Sequence, residues 1–229
     1  MAPLSLLTPS GDAMTERRWR ADCRDFSRGR RRRRDSTAGC VWLPRDWTPT
    51  PRCPLLIAMD DAPDWRATGQ LFRNASAGRP QVILAPNIAV HSTDSLVEWI
   101  GEISDECGGG GSYFVYGRCD ASAVAMSLVL RECAVTAAVA LVSPTAQLAS
   151  ALDATHVNGE RVPVRWFFGA QDPQLAVYLD EWRVSAAAAR RAGFGLLDIA
   201  VIEGDGASRA INETLQFFDD VRVSAVTRA

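Results

Sequence analysis

From Pro54 to its end the chain alternates two kinds of segment, and this alternation most constrains its fold. The first kind is short and apolar: "PLLIAM" (54–59), "QVILAP" (81–86), "SYFVYG" (112–117), "VTAAVALVS" (135–143), "VPVRWFFG" (162–169) and "LLDIAVIEG" (196–204). A strand reads as apolar throughout when both of its faces are covered. Between these runs lie stretches with apolar residues at helical spacing: 64–78, 92–107, 120–133, 174–192 and 207–223. The second opens on capping residues and repeats Leu96, Val97, Ile100 and Ile103. Gly78 and the run Gly108 to Gly111 stop the first and second helices. Strands alternating with helices predict a mostly parallel sheet with helices on both faces, a three-layer α/β sandwich. "GCVWLP" (39–44) adds a further strand ahead of the pattern.

In such a sheet a ligand lies beyond the carboxyl ends of the strands. The residues to watch follow each strand: Asp60 and Asp61, Asn87 to His91, Cys119, Ser143, Asp172, and Gly204 to Ser208. A length of 229 residues fits one sizeable core.

Charge divides the chain unevenly. All 25 cationic residues are arginine. Residues 1–35 hold ten Arg against five acids, and residues 36–229 hold fifteen against twenty-two, about +5 and −7. Arg30, Arg31, Arg32, Arg33 and Arg34 are consecutive. They repel one another and bury nothing, so 1–35 reads as a flexible, solvated arm and 36–229 as the folded domain. The other reading of the run is a contact for nucleic acid or an acidic partner, but no aromatic interleaving accompanies it. No apolar run is long enough to span a bilayer, and no basic start precedes the short apolar piece at the amino end. Six cysteines occur without a C-x-x-C pair or histidines at ligand spacing, which argues against zinc and for free thiols in a reducing, cytoplasmic setting. No metal or cofactor is expected.

One stretch carries chemistry. "FVYGRCDASAV" (114–124) reads as a strand, a sharp turn and a helix, with Cys119 at the turn. Together with "VWLPRDW", "PLLIAMDDAPDW", "FFGAQDPQL" and "RRAGFGLLDIAVIEGDGA", in this order and spacing over about residues 38–222, it resembles the α/β-hydrolase fold without a cap domain. Within that fold it is most similar to the esterase group that includes enterochelin esterase and esterase D. The resemblance implies a nucleophile at Cys119, an acid at Asp172, and oxyanion-hole backbone donors at Asp61 and Asp120. Dienelactone hydrolases, which share the fold, place a cysteine at this position. Asp172 also reads as a helix cap ahead of Pro173.

The departures are as informative. The second elbow glycine is Ala121. Asp120 sits beside the nucleophile, where a carboxylate raises a thiol's pKa; Arg118 offsets it in part. The oxyanion loop is Asp60-Asp61 where relatives have a glycine, so four acids (Asp60, Asp61, Asp120, Asp172) are expected to crowd one rim. The triad histidine is missing: the loop after the last strand is "EGDGASRA", with Ala207 or Ser208 at its place. Only His91 and His156 exist, and His91 is the one at the correct sheet end. A thiol without a base is mostly protonated at neutral pH. Three readings stand. The first is a non-catalytic esterase-like module that binds a small acyl ester or a protein. The second is a thiol-dependent ester or thioester hydrolase, or acyltransferase, using Cys119, Asp172 and His91. The third is a nucleic-acid-associated protein acting through its arginines.

Overall fold

A computed structural model of the chain describes residues 14–17, 38–44, 48, 52–76, 79–108, 110–132, 134–144, 162–172, 175, 187, 196–203 and 207–226. Each apolar run becomes a strand. In chain order the strands are β1 (Met14–Arg17), β2 (Gly39–Pro44), β3 (Leu55–Asp60), β4 (Val82–Pro86), β5 (Tyr113–Arg118), β6 (Thr136–Val142), β7 (Pro163–Gly169) and β8 (Leu196–Ile202). The helices among the described residues are α1 (Trp65–Ala75), α2 (Thr93–Glu106), α3 (Ala121–Arg131) and α4 (Ala207–Val226). The Ser92 side chain caps α2 by accepting the Ser95 N–H at 3.2 Å. The helix expected over 174–192 falls almost wholly outside the described residues, as does Gly78.

The strands form one eight-stranded sheet among the described residues, in the order β1-β2-β4-β3-β5-β6-β7-β8. All pairings are parallel except β1 with β2 and β2 with β4. The sheet is therefore the mostly parallel one expected. Side chains alternate across it. Leu55, Ile57 and Met59 join α2 and α3 in one core, while Leu56 and Ala58 join α1 and α4 in the other. Helices thus cover both faces, which makes the three layers.

One boundary differs from the expectation. Met14–Arg17, inside the segment read as an arm, pairs with β2 from Met14↔Pro44 to Arg17↔Val41. Four residues with two charges carry no apolar alternation, so their strand is set by the open edge of β2 rather than by local pattern. Residues 18–37, which include Arg30–Arg34, lie outside the described residues. Their flanks do not: Arg17 pairs with Val41, which faces Leu84 in the middle of β4, and Gly39 pairs with Pro86, the last residue of β4.

The order also locates a crevice. The chain passes from β3 to β4 on one side, then returns to β5 on the other side of β3. The carboxyl ends of β3 and β5 are neighbours whose following segments diverge, the arrangement that opens a binding crevice in doubly wound sheets.

Candidate functional site

At the end of β5 the backbone makes a sharp turn. Cys119 has φ of 49°, and α3 begins two residues later at Ala121. A side chain in this left-handed region costs about 1–3 kcal/mol, and such strain concentrates at functional positions. The turn is held on both sides. The Cys119 N–H donates to the Val142 carbonyl of β6 at 3.0 Å, and the Cys119 carbonyl accepts the Ser122 N–H at 3.0 Å. Gly117 lets α3 press against β5: a Cβ there would lie 2.8 Å from the Ala125 Cβ and 2.9 Å from the Ser122 Cα. Cys119 itself is half-buried, at the end of β5 where the crevice opens.

Beside it, β3 and β5 pair Asp60 with Arg118. Asp60 is buried, yet its carboxylate is fully engaged. It accepts the Thr68 hydroxyl proton and the Ala62 N–H at 3.0 Å, and its Oδ2 lies 3.0 Å from the Arg118 Nε. The expectation that Asp60 crowds an acidic rim is therefore corrected. It points inward and neutralises a guanidinium, because a buried carboxylate is stable only when paired. Burial pulls the Arg118 pKa down, and the Asp60 carboxylate beside it more than offsets this, so the net shift is upward.

Asp61 takes the opposite course. It is exposed, and its Oδ2 accepts the Asp120 N–H at 3.4 Å. The Asp120 N–H is the donor that the hydrolase resemblance assigns to the oxyanion, and here a carboxylate side chain faces it. The sulfur feels the same charges. Burial pushes the Cys119 pKa up; Asp61 adds to this, Arg118 opposes it, and Asp60 and Asp120 add further. Asp120, at the start of α3, caps no N–H with its own side chain.

The remaining predicted residues follow other strands. His91 follows β4, and β3 lies between β4 and β5. Its Nε2 lies 2.8 Å from the Ala38 carbonyl, its Nδ1 lies 3.5 Å from the Ser95 hydroxyl, and its ring packs 5.6 Å from Trp99. The imidazole thus links the start of β2 to α2. Asp172 lies in the turn after β7: its N–H donates to Gly169 at 2.9 Å and its carbonyl accepts the Leu175 N–H at 3.0 Å. These are the bonds of a helix start. Ser208 is an exposed residue of the first turn of α4. His156 and Arg30–Arg34 lie outside the described residues. Among the described residues no group of three or more His, Cys, Asp or Glu could hold a metal ion, and no helix is long and apolar enough to cross a membrane.

Two features escaped the sequence reading. The Asp60–Arg118–Thr68 cluster has a signal only once β3 and β5 are known to be adjacent, when opposite charges fall in register. The Asp61–Asp120 contact joins loops 59 residues apart and has none.

A mostly parallel sheet wound in both directions, with a strained turn after a central strand, is the arrangement of the α/β-hydrolase fold, and the chain has that fold. Solved structures agree. S-formylglutathione hydrolase from Agrobacterium tumefaciens matches with a TM-score of 0.57 at 12% identity, over 80% of this chain and 88% of that one. Est1E from Butyrivibrio proteoclasticus gives 0.54 at 11%, over 81% and 94%. The siderophore hydrolase EstA from Aspergillus nidulans gives 0.52 at 10%, over 96% and 99%. Identities this low speak for the fold alone. No protein-family model matches the sequence, and no curated protein matches it either.

Proposed function

We propose that this protein keeps the esterase scaffold without ester hydrolysis and serves as a binding or structural module for a small acyl ester or a protein partner. One observation carries the reading: the Asp61 carboxylate accepts the Asp120 N–H at 3.4 Å. Acyl transfer develops negative charge on a carbonyl oxygen, and an oxyanion hole must offer it free, preorganised N–H groups. A fixed anion at that donor both occupies it and repels the developing charge. The protonated thiol and the replacement of the loop histidine by Ala207 or Ser208 support the same reading. The specificity of enterochelin esterases is not carried over, since function resides in the site and this site has changed. Free thiols at Cys53, Cys107 and Cys119 support a reducing, cytoplasmic setting.

A second reading, a thiol-dependent ester or thioester hydrolase with Cys119 as nucleophile, is favoured by the φ of 49° at Cys119. Steady-state hydrolysis of p-nitrophenyl acetate separates the two. The wild-type chain and Cys119→Ala are expected to release p-nitrophenolate at the same rate. Multiple turnover lost in Cys119→Ala would instead establish the hydrolase.

A further inference from the structure

Why does a strained, half-exposed thiol at an intact elbow stay idle? The turn that costs most to maintain is present, with Cys119 at φ 49° and the close α3–β5 packing that Gly117 permits. The charge of Arg118 favours the thiolate of the adjacent Cys119, and its Nε lies 3.0 Å from the Asp60 Oδ2. Besides Ala121 and the missing loop histidine, one contact at the elbow itself departs from a working one. Asp61 follows the last residue of β3 and Asp120 follows Cys119; β3 and β5 are neighbours with Asp60 opposite Arg118. The register therefore delivers the Asp61 side chain to the Asp120 amide. Asp61 is exposed, so nothing in the core requires a carboxylate there.

We propose that Asp61 is a built-in anion plug: its carboxylate holds the Asp120 N–H that would otherwise face a tetrahedral oxyanion, so that Cys119 can be alkylated but is not assisted in acylation. This rests on the inert-scaffold reading above and names the residue responsible for it. Two reactions of the same sulfur distinguish the plug from a merely unreactive thiol. With p-nitrophenyl acetate, the thiolate, having lost its proton to the buffer, attacks the acyl carbon. A C–S bond forms, the carbonyl pair moves onto oxygen, and that pair returns as the C–O bond to p-nitrophenolate breaks, leaving a thioester. With iodoacetamide the thiolate displaces iodide from a methylene carbon, and no oxyanion forms. Both rates scale with the thiolate fraction; only the first is sensitive to the amide.

The test measures second-order rate constants for both reagents in the full chain, with modification at Cys119 quantified by peptide mass spectrometry. Wild type, Asp61→Asn and Asp61→Ala are compared. In Asp61→Ala the amide is freed, and the acylation-to-alkylation ratio is expected to rise about 10- to 100-fold, below the roughly 10²–10³ that a fully formed oxyanion-hole donor is worth. In Asp61→Asn the side-chain carbonyl can keep the amide. Both rates then rise together through loss of charge, and the ratio stays near that of wild type. An unchanged ratio in Asp61→Ala, in a protein whose circular dichroism and melting match wild type, overturns the plug and leaves the inert-scaffold reading standing. Cys119-dependent turnover of the ester by wild type overturns both.

Discussion

At Gly117 the elbow has no room for a methyl group. The three atoms a Cβ would meet are the Ala125 Cβ at 2.8 Å, the Ser122 Cα at 2.9 Å and the Ala121 carbonyl at 3.2 Å. All belong to backbone or to an alanine, and none can rotate away. Gly117→Ala must therefore push α3 off β5, and overpacking of this kind costs about 1–3 kcal/mol. Urea unfolding should show a lower midpoint at an unchanged slope. The lesson of the site is also written at this scale. Asp60 and Asp61 are adjacent in sequence, yet one is buried against Arg118 and Thr68 while the other faces solvent and the Asp120 amide. The elbow at Cys119 was legible because a glycine, a turn and a helical run are local signals. The fate of each aspartate was not, because it depends on which strand lies next to β3.

The longest of the described helices, α4, is buried through Ile211, Leu215 and Phe218, and one of its carboxylates adds a polar latch. Asp219 of α4 accepts two N–H groups from Arg79, at 2.9 and 2.8 Å, and one from Arg222 at 3.3 Å. Arg222 also donates to the side chain of buried Gln81, which in turn donates to the Ser76 hydroxyl at 2.9 Å. The Arg222 guanidinium lies over the Phe114 ring, 4.3 Å from its centroid. Burial pushes the Arg222 pKa down, Asp219 pushes it up, and Arg79 lowers it again. Without Asp219 two guanidiniums would face each other with no anion between them. Asp219→Ala is expected to cost about 1–2 kcal/mol, less than the roughly 3–5 for breaking a fully buried pair, because all three side chains keep some contact with water. Arg79→Ala should cost less than Asp219→Ala, since it leaves the Arg222–Asp219 pair intact; thermal melts of the two variants provide the comparison. Elements such as α4 were readable because burial on one face imposes a helical period. The latch between them was not, since Arg79 and Asp219 are 140 residues apart.

For the whole molecule the question is where the folded unit begins. The sheet's parallel body from β3 onward follows from the alternation of apolar runs and helices, but the direction of β2 and the existence of β1 do not. Strand direction is set by where the connecting chain re-enters the sheet, and β1 lacks any apolar period of its own. Yet β2 is buried almost throughout: Cys40, Val41 and Trp42 are each at most 2% exposed. Its outer edge would present unpaired N–H and C=O groups next to that apolar surface, the kind of edge that recruits another chain. β1 covers it through four register pairs. Removing residues 1–17 should therefore do more than shorten a tail. The truncated protein is expected to melt several degrees lower, as a loss of about 1–3 kcal/mol implies for a chain of this size, and to associate with rising concentration in size-exclusion chromatography with light scattering. A truncated chain that stays monomeric and melts with the full-length protein would show that β1 adds nothing to the sheet and would return the boundary to residue 36. The expected result instead makes β1 part of the folded unit, which then begins no later than Met14.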